Sequence, residues 1–267
     1  MIQEILGKII RGMDAQSLQR SSVIYWASPV PVFGNPTTAR VATVGINPSN
    51  KEFVDDNGEE LEGVSRRFHT LRSLGLSKWG EARQEDLRAL EDGIINYFSH
   101  CPYVAWFSQL NALTEPAGHS YFGSRATLCH IDLVPYATSR KWTCLDSSSR
   151  KHLIDSSLPT LFEIINSSDI EVLVVNGTSV VQALEAFCGI PFERIPKPEW
   201  ALRRRSSRDV PGWAIEGKLR TVGNRDFART IKVLGYNHNL QSSFGVTRQA
   251  RESIGHWLRS EIEGTSS

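Results

Sequence analysis

With 267 residues, 40% of them hydrophobic and 22% charged, the chain can bury a sizeable core and exceeds the usual single-domain size only modestly. A net charge of +1 excludes a uniformly basic nucleic-acid-coating protein but leaves room for a local positive surface. No apolar run approaches the ~20 residues of a membrane helix, and no charged stretch leading into an apolar one opens the chain, so a cytoplasmic protein without membrane contact is expected.

Ile2, Ile5, Leu6, Ile9, Ile10 and Met13 recur at helical spacing and predict an amphipathic helix over residues 2–19. A loop with Pro29, Pro31, Gly34 and Pro36 follows. Residues 39–46, ARVATVGI, then read as a buried strand that ends in a turn at Gly45, Pro48, Ser49 and Asn50. Runs of the same character lie at 126–134, 172–175 and 230–234, with helical patterns at 64–75, 83–98, 151–166 and 179–188. Such alternation predicts an α/β fold, a parallel sheet covered by helices on both faces, with ligands bound beyond the carboxyl ends of its strands. Polar residues gather there: Asn47 after the first strand, Asp132 to Thr138 at the second, Asn176 to Thr178 after the third, and Tyr236 to His238 after the fourth. Arg203, Arg204, Arg205 and Arg208 form the densest positive cluster and read as an exposed loop. Cys101, Cys129, Cys144 and Cys188 contain no C-x-x-C pair and read as free, buried thiols rather than a disulfide framework or zinc site.

The run Val44, Gly45, Ile46, Asn47, Pro48, Ser49 resembles the G-I-N-P-G motif of the mismatch-specific uracil and thymine enzymes in the uracil-DNA glycosylase superfamily. The resemblance implies that Asn47 holds the attacking water, that Gly45 and Pro48 shape a turn bringing backbone close to a flipped base, and that Gly45 and Ile46 contact that base. Residues 29–34, with Pro31, are similar to the family's DNA-gripping proline loop, and residues 66–71 to a further segment of the same enzymes. Phe53 falls where the family places an aromatic ring that stacks on the base, although a core or lid aromatic reads equally well. Residues 236–245 resemble the second family motif without its proline. His238 then matches the His that stabilises charge on the leaving base, Leu240, Gln241 and Phe244 are candidates for the wedge that enters the duplex, and Asn239 is a further DNA contact.

The second strand carries His130 and Asp132 where uracil enzymes have a base-reading Asn. An ionised Asp accepts hydrogen bonds only, which suits the N4 amino group of cytosine and repels O4 of uracil. Asp132 reads equally as a buried partner of Arg140 or Lys141. Ser49, Arg140, Lys141, Arg204 and Arg205 are candidate phosphate contacts, or else a solvated face.

The resemblance implies one glycosylase-like domain over residues 1–267, with its core at 23–260: a three-layer α/β/α sandwich around four parallel strands. It implies a monofunctional DNA glycosylase, acting as a monomer without metal or organic cofactor, that hydrolyses the N-glycosidic bond of a pyrimidine flipped from duplex DNA and leaves an abasic site. The chain is also similar to an antiviral member of that superfamily acting on modified cytosine in phage DNA. Uracil or thymine mismatch repair is the alternative within the family, a non-catalytic DNA-binding module the alternative outside it, and a hydrolase of free nucleosides a third.

Overall fold

The runs Val41–Gly45, Leu128–Asp132 and Val172–Asn176 are buried at every position in the computed structural model, which describes residues 1–123, 126–204, 208–241 and 246–264. Successive strand side chains point to opposite faces, so strands buried throughout must be covered on both. In chain order the elements are α1 (Ile2–Met13), α2 (Gln16–Arg20), β1 (Val32–Phe33), β2 (Val41–Gly45), α3 (Leu71–Leu74), α4 (Gln84–Ile95), α5 (Tyr97–His100) and α6 (Val104–Thr114). They continue as β3 (Leu128–Asp132), α7 (Ser147–Asn166), β4 (Val172–Asn176), α8 (Thr178–Cys188), β5 (Glu193–Pro196), β6 (Trp213–Val222), β7 (Arg225–Tyr236) and α9 (Arg248–Glu263).

The sheet is mixed and seven-stranded, in the order β1-β3-β2-β4-β7-β6-β5, which corrects the expectation of a sheet of only four strands, all parallel. Pairs β3–β2, β2–β4 and β4–β7 run parallel, while β1 on one edge and β6 and β5 on the other pair antiparallel. The added strands have a physical signature different from the apolar run. In β6, buried Leu219 stands between exposed Lys218 and Arg220, and a two-residue turn at Gly223 and Asn224 leads into β7. There Gly223 adopts φ +58, which a residue without Cβ tolerates. β7 therefore begins at Arg225, five residues before the expected run.

The chain leaves β2 in one direction to reach β3 and then returns past β2 to β4 and β7. With right-handed crossovers, these two senses carry the connecting helices to opposite faces of the sheet. Accordingly α6 packs against α9, while α7 packs on α8 and β7. The helix expected over 64–75 is a loop that begins in a 3-10 turn at Gly63–Ser65 and holds α3, capped by Thr70 and stopped by left-handed Gly75, and α6 was not expected at all. Arg229 of β7 donates to the carbonyls of Ile165, Ser168 and Ile170, closing the carboxyl end of α7. The cysteines are free, but Cys144 is exposed and Cys101 only half-buried. Among the described residues no helix is long and apolar enough to cross a membrane.

Helix α1 buries all six of its expected apolar residues and packs on α4 and α7, so it belongs to the common core. Replacing the fully buried Leu6 by Ala is expected to cost about 2–5 kcal/mol in urea unfolding, within a single transition. An unchanged midpoint would make α1 an appendage.

Candidate active site

The order in which the chain visits β2, β3 and β4 opens a crevice between the turns that follow β2 and β4, the position where open α/β sheets bind ligands. Two hollows lie there. A cavity of about 60 Å3 is lined by Asn47, Glu52, His130 and Asp132 together with Phe33, Tyr103, Trp106 and Phe107. An outer cleft of about 400 Å3 shares Asn47, Trp106 and Asp132 with it and extends over Asn176, Gly177, Thr178, Asn237 and Asn239.

Asn47 follows β2 through Ile46. Its Nδ2 donates to the carbonyls of Pro48 and Tyr136 and to Thr138 Oγ1, each at 3.2 Å. Two backbone acceptors fix which end of the amide is nitrogen, so Oδ1 remains as the acceptor of a residue that lines both hollows. Thr138 in turn donates to the carbonyl of Arg140, and Arg140 and Lys141 follow it as exposed cations.

The parallel register sets Thr43 opposite His130 and Gly45 opposite Asp132, so all four residues share one sheet face. Along this face Tyr121 hydroxyl meets Thr43 Oγ1, Thr43 Oγ1 lies 2.6 Å from His130 Nδ1, and His130 Nε2 lies 3.3 Å from Asp132 Oδ1. The string is satisfied along its length if Tyr121 donates to Thr43, Thr43 to Nδ1, and Nε2–H to Asp132. Phe33, Trp106 and Phe107 surround the ring edge-on or tilted, with centroids 5.1–5.5 Å away. Asp132 is thus the partner of His130, and neither Arg140 nor Lys141 reaches it. Burial pushes the Asp132 carboxyl above its ordinary range, and His130 pulls the other way.

Gly45 makes this possible. A Cβ there would stand 2.4 Å from Asp132 Oδ1 and 2.7 Å from His130 Nε2, so the pair occupies the space a side chain would fill.

Glu52 lies across the cavity, 3% exposed, with Oε2 accepting from Tyr97 hydroxyl at 2.8 Å and 4.0 Å from Arg67 Nε. Burial raises its carboxyl to about 7; the Tyr97 hydrogen bond and Arg67 oppose that rise and Asp132 adds to it. Among the described residues no group of three or more His, Cys, Asp and Glu is gathered as a metal would need.

Several expected site residues stand elsewhere. His238 is 2% exposed and its Nε2 bonds the Trp200 carbonyl at 2.7 Å; Asn237 and Asn239 beside it line the cleft, while His238 lines neither hollow. Phe53 is a core ring packed on Trp26 and Phe68 and does not face the cavity. Pro31 is buried beside edge strand β1, whose Phe33 enters the cavity wall, so this segment is not an exposed loop. Leu240 is buried, which unsuits it as a wedge, and Gln241 is half-buried, accepting from Asn176 Nδ2 at 2.8 Å. Arg204 donates its backbone N–H to Asp209 and is half-buried; Arg205 and Phe244 lie outside the described residues. Ser49 caps the short turn Asn50–Glu52 and lines the inner cavity, and Ile46 lines the outer cleft. Glu52, Tyr103, Trp106 and Phe107 were not foreseen. Glu52 sits in a run of polar residues that reads as a loop, and the other three belong to α6 or the turn before it.

No protein-family model matches the chain and no curated protein matches it significantly, so the geometry alone bears on what the site does.

Gly45→Ala is expected to displace the His130–Asp132 pair and lower stability by about 1–3 kcal/mol, measured by urea unfolding. For Glu52 the sign follows from linkage: the folded carboxyl titrates near 7 against 4.5 for the free group, so the fold binds an extra proton between those values. Its stability is full below about 4.5 and is lost as pH rises through about 7, by roughly 3 kcal/mol at most. Glu52→Gln should flatten that loss in thermal unfolding followed across the same window.

Proposed function

We propose that this chain is a DNA glycosylase of the uracil-DNA glycosylase kind, a three-layer α/β/α enzyme that hydrolyses the N-glycosidic bond of a pyrimidine flipped into the crevice at the ends of β2, β3 and β4. The observation that carries the reading is Asn47: both amide hydrogens are committed to Pro48, Tyr136 and Thr138, which leaves a neutral carbonyl oxygen at the junction of an aromatic-walled cavity and an open cleft. An amide oxygen fixed in this way orients a water toward C1′ without needing to be a strong base, because the oxocarbenium-like sugar is already electron-poor. Phe33, Tyr103, Trp106 and Phe107 supply rings against which an extruded base packs. Exposed Arg140 and Lys141, next to the anchor of Asn47, suit flanking phosphates.

The base we propose is a cytosine, modified or damaged. Asp132 puts an acceptor carboxyl on the cavity wall, and the amide hydrogens of Asn47 are committed elsewhere, so the inner wall beside Asp132 favours a base that presents an amino group over one that presents O4. A role in antiviral defence against phage DNA with modified cytosine accords with that preference.

Purified protein should release a base from duplexes carrying modified cytosine, read by mass spectrometry and by alkali-labile strand breaks, and Asn47→Ala should slow release by about 100-fold or more. Undiminished release by Asn47→Ala would remove it from the chemistry. Absence of release from any duplex, with binding retained, would favour a DNA-binding module. Asp132→Asn, which supplies a donor for O4, is expected to shift the ratio of released bases toward uracil; wild-type protein that already prefers uracil would overturn the cytosine assignment.

A further inference from the structure

The site as built lacks one component that base departure requires. When the C1′–N1 bond breaks, its electron pair leaves with the pyrimidine, and a cytosine-type ring bears that charge poorly unless it is protonated or strongly hydrogen-bonded. The imidazole that the sequence suggested for this task, His238, is spent on the Trp200 carbonyl. The imidazole that does line the cavity, His130, has one nitrogen on Thr43 and the other on Asp132.

Resting on the glycosylase reading, we infer that Glu52 is a further catalytic residue of this cavity, the acid that hands a proton to the departing base. It follows Asn47 by five residues, on the turn Asn50–Glu52, and lines the same cavity as Asn47 and Asp132. The hydroxyl of Tyr97 accepts the backbone N–H of Tyr103 at 2.9 Å and donates its one proton to Glu52 Oε2, which fixes the carboxyl plane. Among the described residues Oε1 has no hydrogen-bond partner, so it is the oxygen free to carry a proton to a ligand. The groups facing this carboxyl are Tyr97, Tyr103, Arg67, and His130 with Asp132 on β3. Burial, with Asp132 adding to it, outweighs Tyr97 and Arg67, and the acid form persists to about pH 7.

The step balances without a co-reactant. The C1′–N1 bond breaks with its electrons going to the base, the Glu52 proton passes to O2 or N3 of that base, and the water on Asn47 forms the new C1′–O bond. The proton shed by the water restores the acid form of Glu52 through solvent, leaving a neutral base and an abasic sugar.

The test is single-turnover base release from the duplex that wild-type protein cleaves, followed from about pH 5.5 to about pH 9, with DNA affinity measured by anisotropy. The wild-type rate should be level below about pH 7 and fall about tenfold per unit above it. Glu52→Gln should be slower by about 100-fold or more, without that break and with DNA affinity kept. A Glu52→Gln protein with the wild-type rate and profile overturns the inference while leaving the glycosylase reading intact. Should the variant fail to fold by circular dichroism, the wild-type profile decides, and a rate level to about pH 9 overturns the inference. Wild-type protein that releases no base from any duplex overturns both.

Discussion

Everything at this site depends on the missing side chain of Gly45. The parallel register between β2 and β3 sets it against Asp132, and only a residue without Cβ lets the carboxyl and the His130 ring cross that point of the sheet. The string from Tyr121 through Thr43 to His130 and Asp132 is buried, and buried polar groups are tolerated when each finds its partner. The aromatic wall follows from the same placement. Phe33 reaches His130 because β1 pairs antiparallel with β3, and Trp106 and Phe107 reach it because α6 lies over that face.

Two carboxyl groups near one small cavity create an electrostatic tension that the fold sustains without discharging. Asp132 is compensated by an imidazole and Glu52 by a phenol and a guanidinium at 4.0 Å, yet burial outweighs compensation at both. Arg67 does not form a close pair with Glu52 because it is otherwise engaged, donating to the carbonyls of Lys51 and Cys101 and lying over the Tyr103 ring. A tighter ion pair would hold Glu52 ionised and remove its proton from neutral pH.

The strands buried on both faces were legible in the sequence because they are short, apolar and closed by polar turns, and their carboxyl ends located the crevice. Asn47 and Asp132 were found by that logic, His130 by the resemblance of its strand to the family's base-reading segment, and the three line one cavity. Strands β1, β5 and β6 were missed for a different reason: a two-residue edge strand has too little pattern, β5 is largely exposed, and the half-exposed β6 alternates with lysine and arginine. His238 was misplaced because position after a strand does not say which way a side chain turns, and alternation gave the cleft to Asn237 and Asn239 instead. Phe53 turns into the core for a similar reason, and Phe33, for which no role was expected, stands in the cavity wall. Glu52 carried no local signal, since its burial comes from Tyr97 and Arg67, which are distant in sequence.

The anchoring of Asn47 has a consequence for how the protein meets a ligand. Three hydrogen bonds hold its amide before anything is bound, so the rotational freedom of that side chain is surrendered when the chain folds. A water or sugar arriving at the crevice finds the acceptor already oriented, and the ordering entropy that a loose asparagine would demand at encounter has been charged to the stability of the protein.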